Sequence, residues 1–168
     1  TEPVWPQGKG SGVTVAVLDT GMLEHPDMSG AWVSGYDMIS DGALAGDDDG
    51  RDSDPTDTMR CDDGSGVTTP NPHGLMVSSV IAARMNNAQG VAGVAPLAQI
   101  MPVRVIGGCG GYLSDVLDGM RWAVGLPVSD LPLNPNPAKV LNLSLGTTSP
   151  GAVCSTAVQS VIDEVRAT

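Results

Sequence analysis

Asp19 and His73 are the two residues whose types and positions most clearly predict chemistry. Asp19 follows the nearly all-apolar run at 13–18, and His73 opens a helical pattern rich in small residues. A carboxylate can fix the tautomer of an imidazole and stabilise its cation, while the other ring nitrogen takes the proton of a nucleophilic serine. The sequence therefore predicts an acid–base pair, although an ordinary Asp turn and a capping or packed histidine are the plainer interpretations of each residue alone.

The elements that must position this pair alternate along the chain. Apolar runs predict three strands, and apolar residues at three- and four-residue steps predict three helices. The strands are predicted at 13–18, 100–106 and 140–145, and the helices at 73–85, 113–126 and 154–166. Alternation of this kind predicts an α/β fold with a mainly parallel sheet and right-handed crossovers. Ligands of such sheets bind outside the carboxyl ends of the strands, which is where Asp19 is expected to lie.

Composition narrows the class of protein. The 168 residues carry a formal net charge of -11, which would repel a phosphate backbone, so no nucleic-acid partner is expected. No apolar stretch approaches the roughly 18–20 residues that a membrane helix needs, so no membrane partner is expected either. The first ten residues lack the pattern of a signal peptide, so an export signal is expected to have been removed. The length suits one domain with its own core.

An acidic loop at 47–57 predicts a calcium site. It carries six aspartates in 11 residues, interrupted by a turn glycine. Flexible loops rich in carboxylate oxygens suit Ca²⁺, which takes about six to eight oxygen ligands. The predicted ligands are Asp49, Asp52, Asp54 and Asp57, although their spacing is not the regular one of an EF-hand. A solvated acidic surface is the alternative interpretation.

The segments around the acid–base pair resemble those of the subtilase family of serine proteases. In family order they are Asp19-Thr20-Gly21, His25-Pro26-Asp27, Asn71-Pro72-His73-Gly74, Gly90-Val91-Ala92-Gly93-Val94-Ala95-Pro96 and Asn142-Leu143-Ser144-Leu145-Gly146. The resemblance extends over about residues 10–166 and implies a three-layer subtilisin-like fold. It implies further that Asp19 is the acid and His73 the base of a secreted, extracellular serine endopeptidase that hydrolyses polypeptides.

Two segments of the family pattern do not occur in this sequence. They are the segment with the asparagine that binds the oxyanion and the Gly-Thr-Ser-Met-Ala-type segment that carries the nucleophile. Residues 1–168 are therefore predicted to be an incomplete catalytic domain, inactive alone and completed by the carboxyl-terminal remainder of the same protease. A propeptide, and hence a zymogen, is expected too. The alternative is a non-catalytic subtilase-like module that binds peptides or another protein.

The resemblance also implies where a substrate binds. In the family a peptide adds as a strand between two exposed backbone edges, so that main-chain hydrogen bonds supply affinity. The corresponding residues here are Cys109, Gly110, Gly111, Ser144, Leu145 and Gly146. A flexible turn is the alternative interpretation of the glycines.

A second calcium site is implied at Asp27 and the loop at 85–91, where Asn87 would provide a side-chain oxygen. An Asn-rich turn after a helix is the alternative.

The two substrate edges also place Cys109 and Cys154 near each other, which predicts a disulfide between them, with Cys61 free or bonded to the missing part. The pair Cys61 and Cys109 is the competing prediction.

Overall fold

A four-stranded parallel sheet is the centre of the structure. The computed structural model describes residues 5–47, 49–58, 72–147 and 154–168. The strands are β1 (Thr14–Asp19), β2 (Tyr36–Asp37), β3 (Gln99–Arg104) and β4 (Val140–Asn142). Their order is β2-β3-β1-β4, and every pair is parallel. The sheet order therefore places β1, the strand that ends in Asp19, between β3 and β4.

Among the described residues, four helices accompany the sheet. They are α1 (Gly42–Ala45), α2 (His73–Ala82), α3 (Leu113–Ala123) and α4 (Thr156–Arg166), with a short 3-10 turn at Pro26–Met28. Side chains alternate between the two faces of a strand, so β1 supplies both cores. Val15 and Val17 pack in the core that contains Ala82 of α2, whereas Ala16 and Leu18 pack in the core of α3 and α4. The predicted α/β fold, with helices on both faces of a parallel sheet, is confirmed.

The structure differs from the predicted elements at their ends. Helix α2 ends at Ala82 because Ala83 has extended backbone angles and Arg84 N donates to the carbonyl of Asp27. Strand β4 pairs with β1 only over 140–142, so it is shorter than the predicted run at 140–145. Strand β2 and helix α1 lie between the predicted elements at 13–18 and 73–85, in a stretch for which the sequence predicted no strand or helix. Both are too short to produce a periodic pattern.

Across the described ranges, every helix is too short or too polar to cross a membrane.

Candidate active site

Asp19 and His73 are in direct contact at the carboxyl ends of the parallel strands. The Nδ1 atom of His73 lies 2.8 Å from Oδ1 and 3.0 Å from Oδ2 of Asp19. Asp19 is the last residue of β1, and His73 is the first residue of α2. The carboxylate is 2% exposed, whereas the histidine side chain is 40% exposed. The predicted pair is therefore brought together, with a shielded acid and a histidine that reactants can reach.

This contact determines which ring nitrogen can act as a base. An ionised carboxylate only accepts hydrogen bonds, so Nδ1 of His73 carries the proton that it shares with Asp19. The second ring nitrogen, Nε2, is then the proton acceptor of the neutral imidazole. A proton taken at Nε2 creates an imidazolium beside the buried carboxylate, which stabilises it.

Thr20 provides a second link between the end of β1 and the start of α2. Its hydroxyl accepts a hydrogen bond of 3.0 Å from the backbone N–H of Gly74, and its own N–H donates to Asp19 Oδ1 at 2.8 Å. A Cβ atom on Gly74 would lie 2.5 Å from the carbonyl oxygen of Gly21. Only glycine lets the start of α2 approach the end of β1 so closely.

The predicted substrate edges leave the sheet at the same end as Asp19. The segment at 109–111 follows β3, and the segment at 144–146 follows β4, so the two flank β1 in the sheet order. Gly110, Gly111, Ser144 and Gly146 are at least partly exposed, and Leu145 is half-buried. Gly110 closes a tight turn by pairing with the backbone of Gly107. Their role as substrate edges stays a prediction.

The four predicted ligands of the acidic loop do not converge on one point. The Oδ1 atom of Asp54 accepts from the N–H and hydroxyl of Thr56, and Asp52 Oδ1 accepts from Asp54 N. Asp57 is 5% exposed, and its N–H donates to the carbonyl of Met22. Within the part of the chain that the structure describes, no three His, Cys, Asp or Glu side chains are grouped as metal ligands.

Asp49 nevertheless lies in strongly negative surroundings. Desolvation, followed by the neighbouring carboxylates of Asp52 and Asp47, raises its pKa. Carboxylates crowded in this way are a donor set that a hard cation would stabilise. The chemistry of these side chains therefore fits Ca²⁺, and the calcium site stays a prediction.

Asp27 and Asn87, the residues predicted for a second calcium site, are in contact. Asn87 Nδ2 donates to Asp27 Oδ1 at 2.7 Å, and Val91 N donates to Asp27 Oδ2 at 2.8 Å. The hydrogen bond from Asn87 is the main reason why the pKa of Asp27 is lowered, and burial opposes it. The amide oxygen of Asn87, which a metal would need, accepts from Gln89 N at 3.1 Å. The arrangement as it stands is therefore a hydrogen-bonded turn around an ionised carboxylate.

The predicted disulfide between Cys109 and Cys154 is wrong. Cys154 is a free, exposed thiol, whereas Cys109 takes part in a disulfide. Cys154 lies directly before Ser155, the N-cap of α4, and its position is fixed by the start of that helix. The competing pair stays a prediction, because Cys61 lies outside the described residues.

A buried ion cluster beside the acid was missed by the sequence analysis. Arg104, paired in register with Asp19, is fully buried and donates to the carboxylates of Asp37 and Asp47, the latter at 2.9 Å. Its side chain packs against Gly21, where a Cβ would lie 3.0 Å from Arg104 Cδ. A single arginine in an otherwise apolar strand was the available signal, because arginine is almost never buried unless it is paired.

A second arginine, Arg51, connects the acidic loop to α3. Arg51 contacts Asp115 at 2.8 Å and Asp118 at 2.9 Å, and Asp115 also accepts from the N–H and hydroxyl of Ser40. Burial disfavours the charged guanidinium, but the two carboxylates outweigh it and raise the pKa of Arg51. The acidic loop is thus tied to the helix that follows the segment at 109–111.

Comparison with known sequences decides the family. The sequence profile of the subtilase family matches residues 10–167. The chain belongs to the subtilase family. The predicted resemblance is thereby confirmed over the same range of residues.

Similar curated subtilases are extracellular bacterial enzymes. The "Extracellular protease" of Xanthomonas campestris pv. campestris is 44% identical over 167 residues, which cover 96% of this chain and 28% of that protein. The "Extracellular basic protease" of Dichelobacter nodosus is 45% identical over 172 residues, which cover 96% of this chain and 28% of that protein. This subtilase chain therefore spans less than a third of these relatives.

Solved subtilase structures share the fold. A protease from Pseudoalteromonas arctica superposes with a TM-score of 0.89 at 44% identity, covering 98% of this chain and 49% of that one. Fervidolysin from Fervidobacterium pennivorans, a keratinolytic enzyme related to subtilisin, gives a TM-score of 0.61 at 28% identity, covering 98% of this chain and 21% of that one. The subtilisin-like α/β fold is confirmed.

Proposed function

We propose that this chain is the acid-and-base part of a secreted serine endopeptidase that hydrolyses peptide bonds in proteins. The observation that carries the proposal is the contact between His73 Nδ1 and the buried carboxylate of Asp19, at 2.8 and 3.0 Å. A protein that only binds peptides would need neither the shielded acid nor the oriented imidazole. Family membership and the extracellular relatives support the same conclusion.

In the proposed reaction His73 works as base and then as acid. Its Nε2 accepts the proton of a serine hydroxyl while the serine oxygen attacks the carbonyl carbon of the scissile peptide bond. The same nitrogen then gives the proton to the leaving amine. Asp19 keeps the other ring nitrogen protonated and stabilises the imidazolium, a role strengthened by its burial. The serine is supplied by sequence beyond this chain.

The substrate is proposed to add its backbone to the two edges at 109–111 and 144–146. Both segments follow strands that flank β1, so a peptide between them would pass over the edge that holds Asp19 and His73. Main-chain hydrogen bonds give such binding its affinity, and glycine allows close approach of another backbone.

We propose that the carboxyl-terminal remainder of the protease packs against β4. Within the described residues β4 pairs only with β1, and its other edge borders an apolar groove of about 600 Å³. Leu141, Leu143, Ile162 and Val165 line the groove, and Leu143 is 36% exposed. A hydrogen-bonding edge beside an apolar groove suits a further strand or helix of the same domain. Synthesis as a zymogen with a propeptide is part of the same proposal.

Calcium is proposed as a stabilising ion in the acidic loop. Desolvation, and after it the neighbouring carboxylates, raise the pKa of Asp49, and a cation bound by Asp49 and Asp52 would relieve the repulsion between these carboxylates. When bound, Ca²⁺ would supply structural charge compensation and no step of catalysis. Asp54 and Asp57 are the further proposed ligands in the acidic loop, and Asp27 and Asn87 are the proposed ligands of a separate, second calcium site.

The test is labelling of the protease that contains this chain with a serine-directed fluorophosphonate, together with hydrolysis of a peptide substrate. His73→Ala is expected to abolish labelling and to lower kcat/KM by at least about 10⁴-fold, because the serine loses its base. The chain has one other histidine, His25, which is exposed and distant in sequence, so His25→Ala is the matched control and should keep both activities. A protein that binds peptides but neither reacts with the fluorophosphonate nor hydrolyses them is the non-catalytic module instead.

A further inference from the structure

Two neighbouring hydrogen bonds join the end of β1 to the start of α2. The first is the side-chain contact between Asp19 and His73. The second lies one residue further along each segment, where Gly74 N donates to Thr20 Oγ1 at 3.0 Å. Thr20 is 3% exposed, so this second bond is shielded from water. Water competes least for shielded hydrogen bonds, so this one can hold the two segments in register.

Thr20 also acts on the carboxylate directly. Its backbone N–H donates to Asp19 Oδ1 at 2.8 Å, and the same oxygen lies 2.8 Å from His73 Nδ1. The carboxylate is therefore held from the backbone side by Thr20 while it orients the imidazole on the other side. A carboxylate fixed in this way cannot turn away from the ring without losing a hydrogen bond.

The hydroxyl of Thr20 serves α2 as a cap. The first N–H groups of a helix have no partner within the helix. The N-cap residue of α2 is Pro72, which makes no side-chain cap hydrogen bond. Thr20 supplies an acceptor to Gly74 N from another segment, which is the function that a Ser or Thr usually performs from the N-cap position. The amino end of α2, and with it His73, is thus fixed to β1.

We propose that Thr20 is a positioning residue of the active site. Its hydroxyl sets the separation of Asp19 and His73, and this separation lets the Asp19 carboxylate keep the proton of the neutral imidazole on Nδ1. The catalytic meaning of this role rests on the proposed protease function, whereas the geometric role rests on the hydrogen bonds alone.

The two histidines of the chain give this proposal an internal control. His73 donates from Nδ1 to Asp19, so its neutral ring carries the proton on Nδ1. His25 accepts at Nδ1 from Asp27 N at 3.2 Å, so its neutral ring carries the proton on Nε2. Nitrogen-15 NMR distinguishes the two tautomers, and the two residues should report opposite ones in the same sample.

The experiment compares Thr20→Val, which keeps the branched shape, with Thr20→Ser, which keeps the hydroxyl. Thr20→Val should lose the predominance of the Nδ1–H tautomer in the neutral form of the His73 imidazole. Its Gly74 amide should exchange with solvent about three- to tenfold faster, the effect of one lost hydrogen bond. Thr20→Ser should match the unmodified protein in both measurements, and the tautomer of His25 should be the same in all three.

If Thr20 has only a structural role, Thr20→Val should have a lower melting temperature but an unchanged tautomer at His73 and unchanged exchange of the Gly74 amide. That result would overturn the proposal. If Thr20→Val does not fold, the unmodified protein decides: a protected Gly74 amide with Nδ1–H at His73 supports the proposal, and an amide that exchanges as in an unstructured peptide overturns it. None of these measurements uses hydrolysis. The fluorophosphonate test can therefore fail while Thr20 retains its role, and the reverse holds as well.

Discussion

Asp19 and His73 differ strongly in their exposure to solvent. The acid is 2% exposed and the histidine side chain 40% exposed, although their polar atoms are 2.8 Å apart. A carboxylate screened from water keeps its influence on the ring, since charges interact more strongly where the effective dielectric is low. An accessible imidazole can meet a hydroxyl and a leaving group. The difference in burial therefore suits the proposed roles, in which the shielded carboxylate orients the ring and the exposed imidazole meets the reactants.

Replacing Asp19 by Asn tests the proposed role of its carboxylate. An Asn side chain can donate a hydrogen bond to Nδ1, which would move the proton of His73 to Nε2 and remove the base. We expect kcat/KM of the complete protease to fall by about 10³–10⁴-fold, with the fold retained, as judged by circular dichroism. Asp130→Asn is the matched control, because Asp130 is exposed and Asn tolerates its positive φ of 64° equally well. Equal activity of the two variants would remove Asp19 from the mechanism.

The sequence was sufficient to predict that Asp19 and His73 meet, because each stands at the end of a predicted element and both lie in segments that resemble those of the subtilase family. It was not sufficient for Thr20, Arg104 or Asp37. Their roles depend on partners far away in the chain, and no local pattern encodes those contacts. The disulfide prediction failed for a related reason: nearness to a common edge does not fix which sulfur atoms meet.

At the scale of elements, the junction of β1 and α2 depends on the absence of a side chain at Gly74. A Cβ there would lie 2.5 Å from the carbonyl oxygen of Gly21 and 3.2 Å from Thr20 Oγ1. The helix therefore meets the strand backbone to backbone, which is why the two hydrogen bonds beside it can both be short.

Gly74→Ala is expected to destabilise the protein although alanine is the better helix former. The clash with a backbone oxygen forces the helix away from the strand, at a cost of about 1–3 kcal/mol, which exceeds the gain of about 1 kcal/mol in helix propensity. Urea denaturation would measure the difference. Gly8→Ala is the control, because a Cβ at Gly8 meets nothing within 4 Å. Equal midpoints for the two variants would contradict the close approach.

The carboxyl end of β3 has a buried ion pair between the apolar residues Val103 and Val105, because Arg104 contacts the carboxylate of Asp37 there. Burial raises the pKa of Asp37 to about 6, although it contacts Arg104. Between about pH 4 and 6 the folded chain therefore keeps a proton that the unfolded chain has lost. The contribution of this group to stability is largest below about pH 4 and decreases as the pH rises through about 6.

Asp37→Asn should remove this pH dependence. Between about pH 4 and 6, deprotonation of Asp37 should lower the free energy of unfolding of the unmodified protein by on the order of 2–3 kcal/mol. The variant should lack this decrease. Denaturant titrations at several pH values would measure both slopes. Asp163→Asn, at an exposed position of α4, should keep the slope of the unmodified protein. The pKa assignment would be wrong if Asp37→Asn kept that slope as well.

The long elements of this fold were predictable, and the short ones were not. Strands β1 and β3 come from apolar runs of about six residues, and helices α2, α3 and α4 have apolar residues at helical spacing over ten or more positions. Strand β2 has two residues and α1 has four, so their positions depend on pairing with β3 and on the cap from Asp41. Such elements form through tertiary contacts and leave little trace in local sequence.

At the scale of the whole molecule, the net charge of -11 produces self-repulsion that bound cations would reduce. If Ca²⁺ binds the acidic loop, chelation by EDTA should lower the melting temperature by about 4 °C or more, and Ca²⁺ should restore it. Asp49→Asn should reduce the effect of EDTA, whereas Asp163→Asn should not. A melting temperature that does not respond to EDTA would exclude a stabilising calcium ion.

Strand β4 has a consequence for how the protein behaves at high concentration. Its outer edge presents unpaired backbone groups among the described residues, and Val140 beside it is 47% exposed. An open strand edge can pair with the same edge of another molecule. Colloidal stability should therefore fall with increasing concentration whenever this edge is bare, and a short peptide that occupies it would act as a solubilising additive.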